Sequence, residues 1–140
     1  MRGHKIFFGA FTLIFGVASI IYAVAPTTIT AQFAEMDRQL GGGGVDYTGQ
    51  QCRVWIALSA ANVATLSLMC ALLVRDLRQN AAVRWPLLFM KGMSALLFTV
   101  WWAAMPGARS LLVAAAGDFA TAWGIWYFAK RGLADVRPAV

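Results

Sequence analysis

The chain has 140 residues, of which 60% are hydrophobic and only 13% charged, with a mean hydropathy of +0.64. A soluble domain carries about 25% charged and about 45–50% apolar residues, so this composition excludes both a soluble globular protein and a disordered one. The net charge is +6, and its distribution along the chain matters more than its size.

The first element is Ile6–Ala25, 20 residues without a charge. Arg2, Lys5 and the Ala23-Val24-Ala25 sequence imitate a signal peptide, but the apolar run exceeds the usual 7–15 residues of one. The expectation is an uncleaved first helix. A connection of 28 residues follows, Pro26–Arg53. Within it Ile29, Phe33, Met36 and Leu40 recur at i, i+4, i+7 and i+11, which predicts a short amphipathic helix over about 28–40. Glu35, Asp37 and Arg38 are assigned to its polar face, and Gly41–Gly44 stops it. Such a helix either lies in the outer membrane interface or covers the bundle mouth as a lid.

The second long run, Val54–Val74, has 21 residues and no charge. The third, Trp85–Met105, has 21 with one charge, Lys91, and Pro86 falls in its first turn, where a missing N–H costs little. Pro106–Arg109 is a four-residue turn into the fourth run, Ser110–Ala129, which carries one charge, Asp118. At about 1.5 Å per residue each run spans the roughly 30 Å hydrocarbon core. Hydrocarbon admits only helices or closed barrels, and the ten-residue alternation of barrel strands is absent. The fold class is therefore all-α: a single transmembrane domain over 1–140 forming a four-helix bundle, with helices at about 6–25, 54–74, 85–105 and 110–129.

Basic residues set orientation. Arg2, Lys5, Arg75, Arg78, Arg84, Lys130, Arg131 and Arg137 flank one side, against Arg38, Arg53 and Arg109 on the other. Eight against three predicts cytoplasmic termini, N-in and C-in, and best fits a bacterial inner membrane. The pI of 10.0 is thus a topology signature and no nucleic-acid patch, although contact with anionic lipid head groups fits it too. Tyr22, Trp55, Trp101 and Trp102 are expected at the outer interface, and Trp85, Trp126 and Tyr127 at the inner one. The layout is similar to that of small four-helix bacterial membrane families such as the DoxX-like proteins, and this likeness assigns no residue a role.

Small residues mark the packing faces. Helix one carries Gly9, Thr12, Gly16, Ser19 and Ala23; helix two carries Ala57, Ala60, Ala64, Ser67 and Ala71. Lipid supplies no hydrophobic drive between helices, so close approach through small residues pairs these two helices. Helix four has a weaker set that includes Gly117 and Gly124.

Catalytic constellations are missing. His4 is the single histidine, so neither a bis-histidine haem site nor a Ser-His-acid triad is available. No Cys/His/carboxylate cluster suits a metal, and no cofactor is implied. Cys52 and Cys70 are 18 residues apart on one helix, about 27 Å and too far for a disulfide. The polar candidates inside the membrane are Asp118, Asn62, Lys91 and Ser94. Counted from the basic ends, Lys91 lies about 10 Å deep and Asp118 about 18 Å deep, in nearly the same layer as Asn62. Side chains lean toward their helix N-terminus, which widens the Lys91–Asp118 gap of roughly 8 Å. The expectation is that Lys91 snorkels to the interface while a neutral Asp118 bonds Asn62.

The sequence points to a non-enzymatic small membrane protein, in contact with lipid and with other membrane subunits or copies of itself. The leading expectation is an accessory or structural subunit of a larger membrane complex. The alternatives are a proton- or cation-linked transporter working as a homo-oligomer around Asp118, and a binder of a lipophilic molecule such as a quinone or lipid.

Overall fold

Proline and glycine punctuate the chain where the sequence places them. The computed structural model describes residues 2–43, 47 and 50–135; for residues 2 and 50–54 it describes the backbone alone. Five α-helices follow in order: α1 (Arg2–Val24), α2 (Pro26–Gln39), α3 (Gln50–Arg75), α4 (Arg84–Ala104) and α5 (Ser110–Asp135). A short 3-10 turn, Ala81–Val83, precedes α4, and no strand occurs among the described residues. Four helices are long and apolar enough to cross a membrane: Gly3–Val24, Trp55–Arg75, Ala81–Ala104 and Ser110–Asp135. This is the character of a multi-pass membrane protein.

Ala25 separates α1 from α2 with φ −131° and ψ 59°. The ring of Pro26 drives the preceding residue out of helical conformation, and Pro26 itself then serves as the first residue of α2. At the other end of α2, Gly41 has φ +73°, the left-handed conformation that glycine adopts without steric cost. The N–H groups of Gly41 and Gly42 donate to the carbonyls of Arg38 and Asp37, at 3.1 and 2.8 Å. This paired pattern satisfies the last carbonyls of the helix. The α3–α4 connection is capped in its own way. The Asp76 carboxylate accepts the N–H groups of Arg78 and Gln79 at 2.9 Å, and the Asn80 amide donates to the Leu72 carbonyl at 3.0 Å.

α1 packs chiefly on α3, and α4 chiefly on α5; α1 against α5 joins the two pairs, while α3 and α4 touch little. The α1–α3 seam is tight near its middle. The Ser67 hydroxyl donates to the Thr12 carbonyl at 2.8 Å, and a Cβ at Gly16 would stand 3.3 Å from Ser67 Oγ. Ser19 turns back to the Gly16 carbonyl of its own helix at 2.8 Å. The small-residue stripe is used unevenly: Ala60 is half-buried, Ala64 is exposed, and Gly9 has nothing within 4 Å of its Cβ position. The α1–α5 seam uses glycines of α5 as sockets for rings of α1. Phe7 stacks on Phe128 with centroids 4.5 Å apart and lies against Gly124. His4, expected as a flanking residue outside the first span, is instead buried in the first turn of α1 against Gly132.

The core is lopsided. Phe8, Phe15, Leu66, Cys70, Leu73, Leu77, Leu87, Ile125 and Ala129 form one buried cluster drawn from all four long helices. Every one lies between mid-bundle and the end where α1 begins and α5 finishes, here the first end. Toward the second end, where α2 lies, Leu111 is the one large apolar side chain still buried among the described residues. There Ala95 and Ala115 bring α4 and α5 together.

The glycine sockets give a direct test. A Cβ at Gly132 would sit 2.5 Å from Leu77 Cδ2 and 2.9 Å from the His4 ring, whereas Gly117 has nothing within 4 Å. Gly132→Ala is expected to lower the melting temperature in detergent, at a cost of about 1–3 kcal/mol from overpacking. Gly117→Ala is expected to be neutral or stabilising by up to about 1 kcal/mol, since alanine is the better helix former. Equal shifts in the two melts would show that the socket is not formed.

Candidate functional site

Charge inside the bundle comes first. Lys91 of α4 and Asp118 of α5 form an ion pair, Nζ to Oδ1 at 2.5 Å, with side-chain exposures of 12% and 15%. The Lys91 ammonium also lies 4.9 Å from the centroid of the Phe15 ring on α1. This differs from the expectation of a snorkelling lysine and a separate acid. The physical reason is reach: the four-carbon lysine stem extends along α4 toward the second end and covers the offset between the two backbones. Side-chain lean is a preference of the Cα–Cβ bond, and four further torsions override it. Asn62, the expected partner of Asp118, lies on the exposed face of α3 instead. Ser94 is half-buried one turn along α4 from Lys91. Of the four polar candidates, therefore, the structure joins Lys91 and Asp118 and leaves Asn62 and Ser94 outside the pair.

Two turns from the ion pair toward the second end, the interior opens. A cavity of about 270 Å³ is lined by Tyr22, Ile29, Thr30, Phe33, Tyr47, Trp55, Ile56, Ser59, Phe98 and Leu111. Tyr22 comes from α1, Ile29, Thr30 and Phe33 from α2, Trp55, Ile56 and Ser59 from α3, Phe98 from α4 and Leu111 from α5. Every helix thus supplies part of the wall. Phe98 follows Lys91 by seven residues and Leu111 precedes Asp118 by seven, so the pair lies about 10 Å below the lining they contribute. The wall is almost wholly apolar, with the hydroxyls of Tyr22, Thr30, Tyr47 and Ser59 as its polar points.

The α2 segment is strapped over this opening by a buried carboxylate. Asp37, only 2% exposed, accepts the Tyr47 hydroxyl at 2.7 Å and the Ser110 backbone N–H at 2.5 Å. Ser110 is the first residue of α5, so Asp37 places a negative charge at the positive end of that helix dipole. Burial alone would raise the Asp37 carboxyl; the Tyr47 hydroxyl and then the Ser110 N–H and hydroxyl outweigh it and hold the group below its ordinary value. Burial, and then donation to Asp37, push the Tyr47 phenol up to about 12, so it stays a donor through neutral pH. Two further ties accompany the carboxylate. Arg109 donates to the Leu40 carbonyl, and the Gly43 N–H reaches the Gly107 carbonyl at 3.2 Å. Gly42 meets the Gly107 carbonyl so closely that a Cβ has no room there.

Asp37 is a correction to the sequence reading, which put it on the polar face with Glu35 and Arg38. Those two do pair with each other at the exposed surface. Asp37 stands at i+8 from Ile29 and i+4 from Phe33, on the face that turns toward the cavity, and that spacing was the available signal. Cys70 is fully buried in the core, and the Cys52 side chain lies outside the described residues. Among the described residues no three His, Cys, Asp or Glu side chains gather as a metal site would need.

No family model matches this chain, and no curated protein and no solved structure matches it. The likeness of layout to the DoxX-like proteins therefore has no family match behind it, and the site rests on its own geometry.

Two outcomes are expected. Lys91→Met or Asp118→Asn alone should destabilise strongly, by about 3–5 kcal/mol, because each strands a charge in hydrocarbon. The double variant should recover most of the loss in a detergent melt; additive losses would show the two groups to be independent. For the strap, Asp37→Ala should cost about 1.5–3 kcal/mol, the scale of a hydrogen bond to a charged group. The sign with pH follows from the lowered Asp37 carboxyl. Its contribution is complete above the ordinary value of 3.8 and is lost as pH falls through the lower folded value. Protection of the 26–43 segment from an acid-active protease should hold at pH 5 and fail only below about pH 4. Loss of protection between pH 7 and pH 5 would exclude Asp37 as the clasp.

Proposed function

We propose that this chain is a non-enzymatic membrane protein that holds a lipophilic molecule, a quinone-type ring or a lipid tail, in the cavity beneath α2. The observation that carries the reading is the cavity itself: about 270 Å³, walled by all five helices and lined mainly by aromatic and aliphatic groups. Small-molecule sites are concave and mostly apolar, with a few polar groups that orient the ligand, and they measure about 300–1,000 Å³. This one lies just below that range, sized for one ring system or part of one tail. Lys91 and Asp118 neutralise each other below it, and the Tyr47 and Thr30 hydroxyls donate to Asp37 and to the Thr27 carbonyl, so the hydroxyls of Tyr22 and Ser59 are the donors left to orient a ligand.

The eight-to-three distribution of basic residues supports an orientation with both termini cytoplasmic, as in a bacterial inner membrane. In that orientation α2 lies at the outer face, and its Ile29 and Phe33 roof the cavity. The lid reading of the outer loop fits this arrangement better than a helix lying free in the interface.

A second reading, an accessory subunit of a larger membrane assembly or a self-associating chain, is supported by a different observation. Gly92 of α4 and Gly117 of α5 have nothing within 4 Å of their Cβ positions, which leaves small residues facing outward where another helix fits closely. A transporter working around Asp118 has less support, because Lys91 already occupies that carboxylate.

Solvent extraction of the protein purified from membranes in mild detergent, followed by mass spectrometry, tests the leading reading. A lipophilic species near one per chain is expected. Ser59→Trp, which fills the cavity, should reduce it at least tenfold with the melting temperature retained. Equal amounts from the variant, or none from either protein, would overturn ligand binding. Stoichiometric co-purification of another membrane protein would then favour the subunit reading.

A further inference from the structure

At the first end, the end of the bundle away from the strap, α4 and α5 line a second concavity of about 280 Å³. Its walls are Arg84, Trp85 and Leu88 from the start of α4 and Trp126, Lys130 and Leu133 from the end of α5. Two cations therefore face one cleft from opposite helices. Neither Arg84 nor Lys130 forms an ion pair with any acid among the described residues, unlike Lys91 and Arg38. Each lies over an indole instead: the Arg84 guanidinium 5.1 Å from the Trp85 ring centroid and the Lys130 ammonium 4.9 Å from that of Trp126. A cation over an aromatic face is held in place but keeps its outward donors free.

From this geometry we infer that the Arg84–Lys130 cleft is a binding site for the phosphate head group of an anionic phospholipid. Three features select a lipid over a soluble phosphate. The cleft lies where both spans meet their basic flank, the depth of the head-group layer in any membrane these helices cross. Leu88 and Leu133 share the cleft with the cations, so apolar wall adjoins the charge as glycerol and the first acyl carbons adjoin a phosphate. The indoles of Trp85 and Trp126 are exposed at 60% and 42%, which leaves them open to lipid and suited to the interface. The guanidinium of Arg84 supplies a planar fork for two phosphate oxygens, and the Lys130 ammonium supplies a point charge to a third. The site does not depend on the cavity beneath α2, and either can fail without the other.

Native mass spectrometry of the full chain in detergent, titrated with phosphatidylglycerol or phosphatidylcholine, tests the assignment. Phosphatidylglycerol is expected to bind in preference. Arg84→Gln with Lys130→Gln should weaken it roughly thirtyfold, the combined effect of two cations at a membrane surface. Arg84→Lys with Lys130→Arg keeps both charges and should retain binding within a few fold. Arg75→Gln removes a basic residue of the same end outside the cleft and should change nothing. Equal binding of the two lipids, undiminished phosphatidylglycerol binding in the double glutamine variant, or loss in the charge-preserving variant would each overturn the proposal. Displacement of the lipid by inorganic phosphate alone would make this a free-phosphate site and would also overturn it.

Discussion

A charge in hydrocarbon must be neutralised within the protein or carried out to the interface, and that constraint organises this bundle. Lys91 and Asp118 take the first course. Each belongs to one helix of the α4–α5 hairpin, so their pairing holds the two helices at one axial register as well as one distance. Without water-driven association between helices, few other forces fix register so well. Phe15 extends the same layer to α1 through its ring under the ammonium. Below that layer, toward the first end, large side chains fill the interior; above it Leu111 is buried beside open space.

The cavity and its strap depend on this division. Were the core continuous to the second end, α2 would have nothing to cover and would rest on the lipid surface. Because the interior is open there, α2 turns Ile29 and Phe33 inward and becomes part of the wall. A short helix with so little apolar area is poorly anchored by burial alone. The Asp37 carboxylate fastens it to the first turn of α5, and the Gly42–Gly107 approach lets two backbones meet where side chains would hold them apart.

The spans were legible because hydrocarbon thickness and helix rise leave a strong signal: charge-free runs of about 20 residues have one physical reading. The α2 helix was legible from the spacing of Ile29, Phe33, Met36 and Leu40. Three features were not. Depth counting and side-chain lean locate the Cβ of Lys91 but not the end of its long flexible stem. Charge alone puts Asp37 on the wet face; its spacing from Ile29 and Phe33 argues otherwise, but its partner Ser110 lies 73 residues away. His4 was set outside the bundle because it precedes the apolar run, yet Gly132 makes a socket for it. Each of these depends on a residue distant in sequence, and one chain read alone carries no record of such pairs.

The position of the strap in the chain bears on biogenesis. A membrane chain emerges N-terminus first, and its early helices can pair before the later ones are made. α1 and α3 are complete and able to join while α4 and α5 are still to come, with α2 already between them. Beside Tyr47, the groups that tie α2 down are Gly107, Arg109 and Ser110, and these three belong to the last turn and last helix. Until that helix is inserted, Asp37 has the Tyr47 hydroxyl but no N–H to hold, and the roof is not fastened to the bundle. Closure of the strap is thus a late event in assembly, and it reports that the final helix has reached its place.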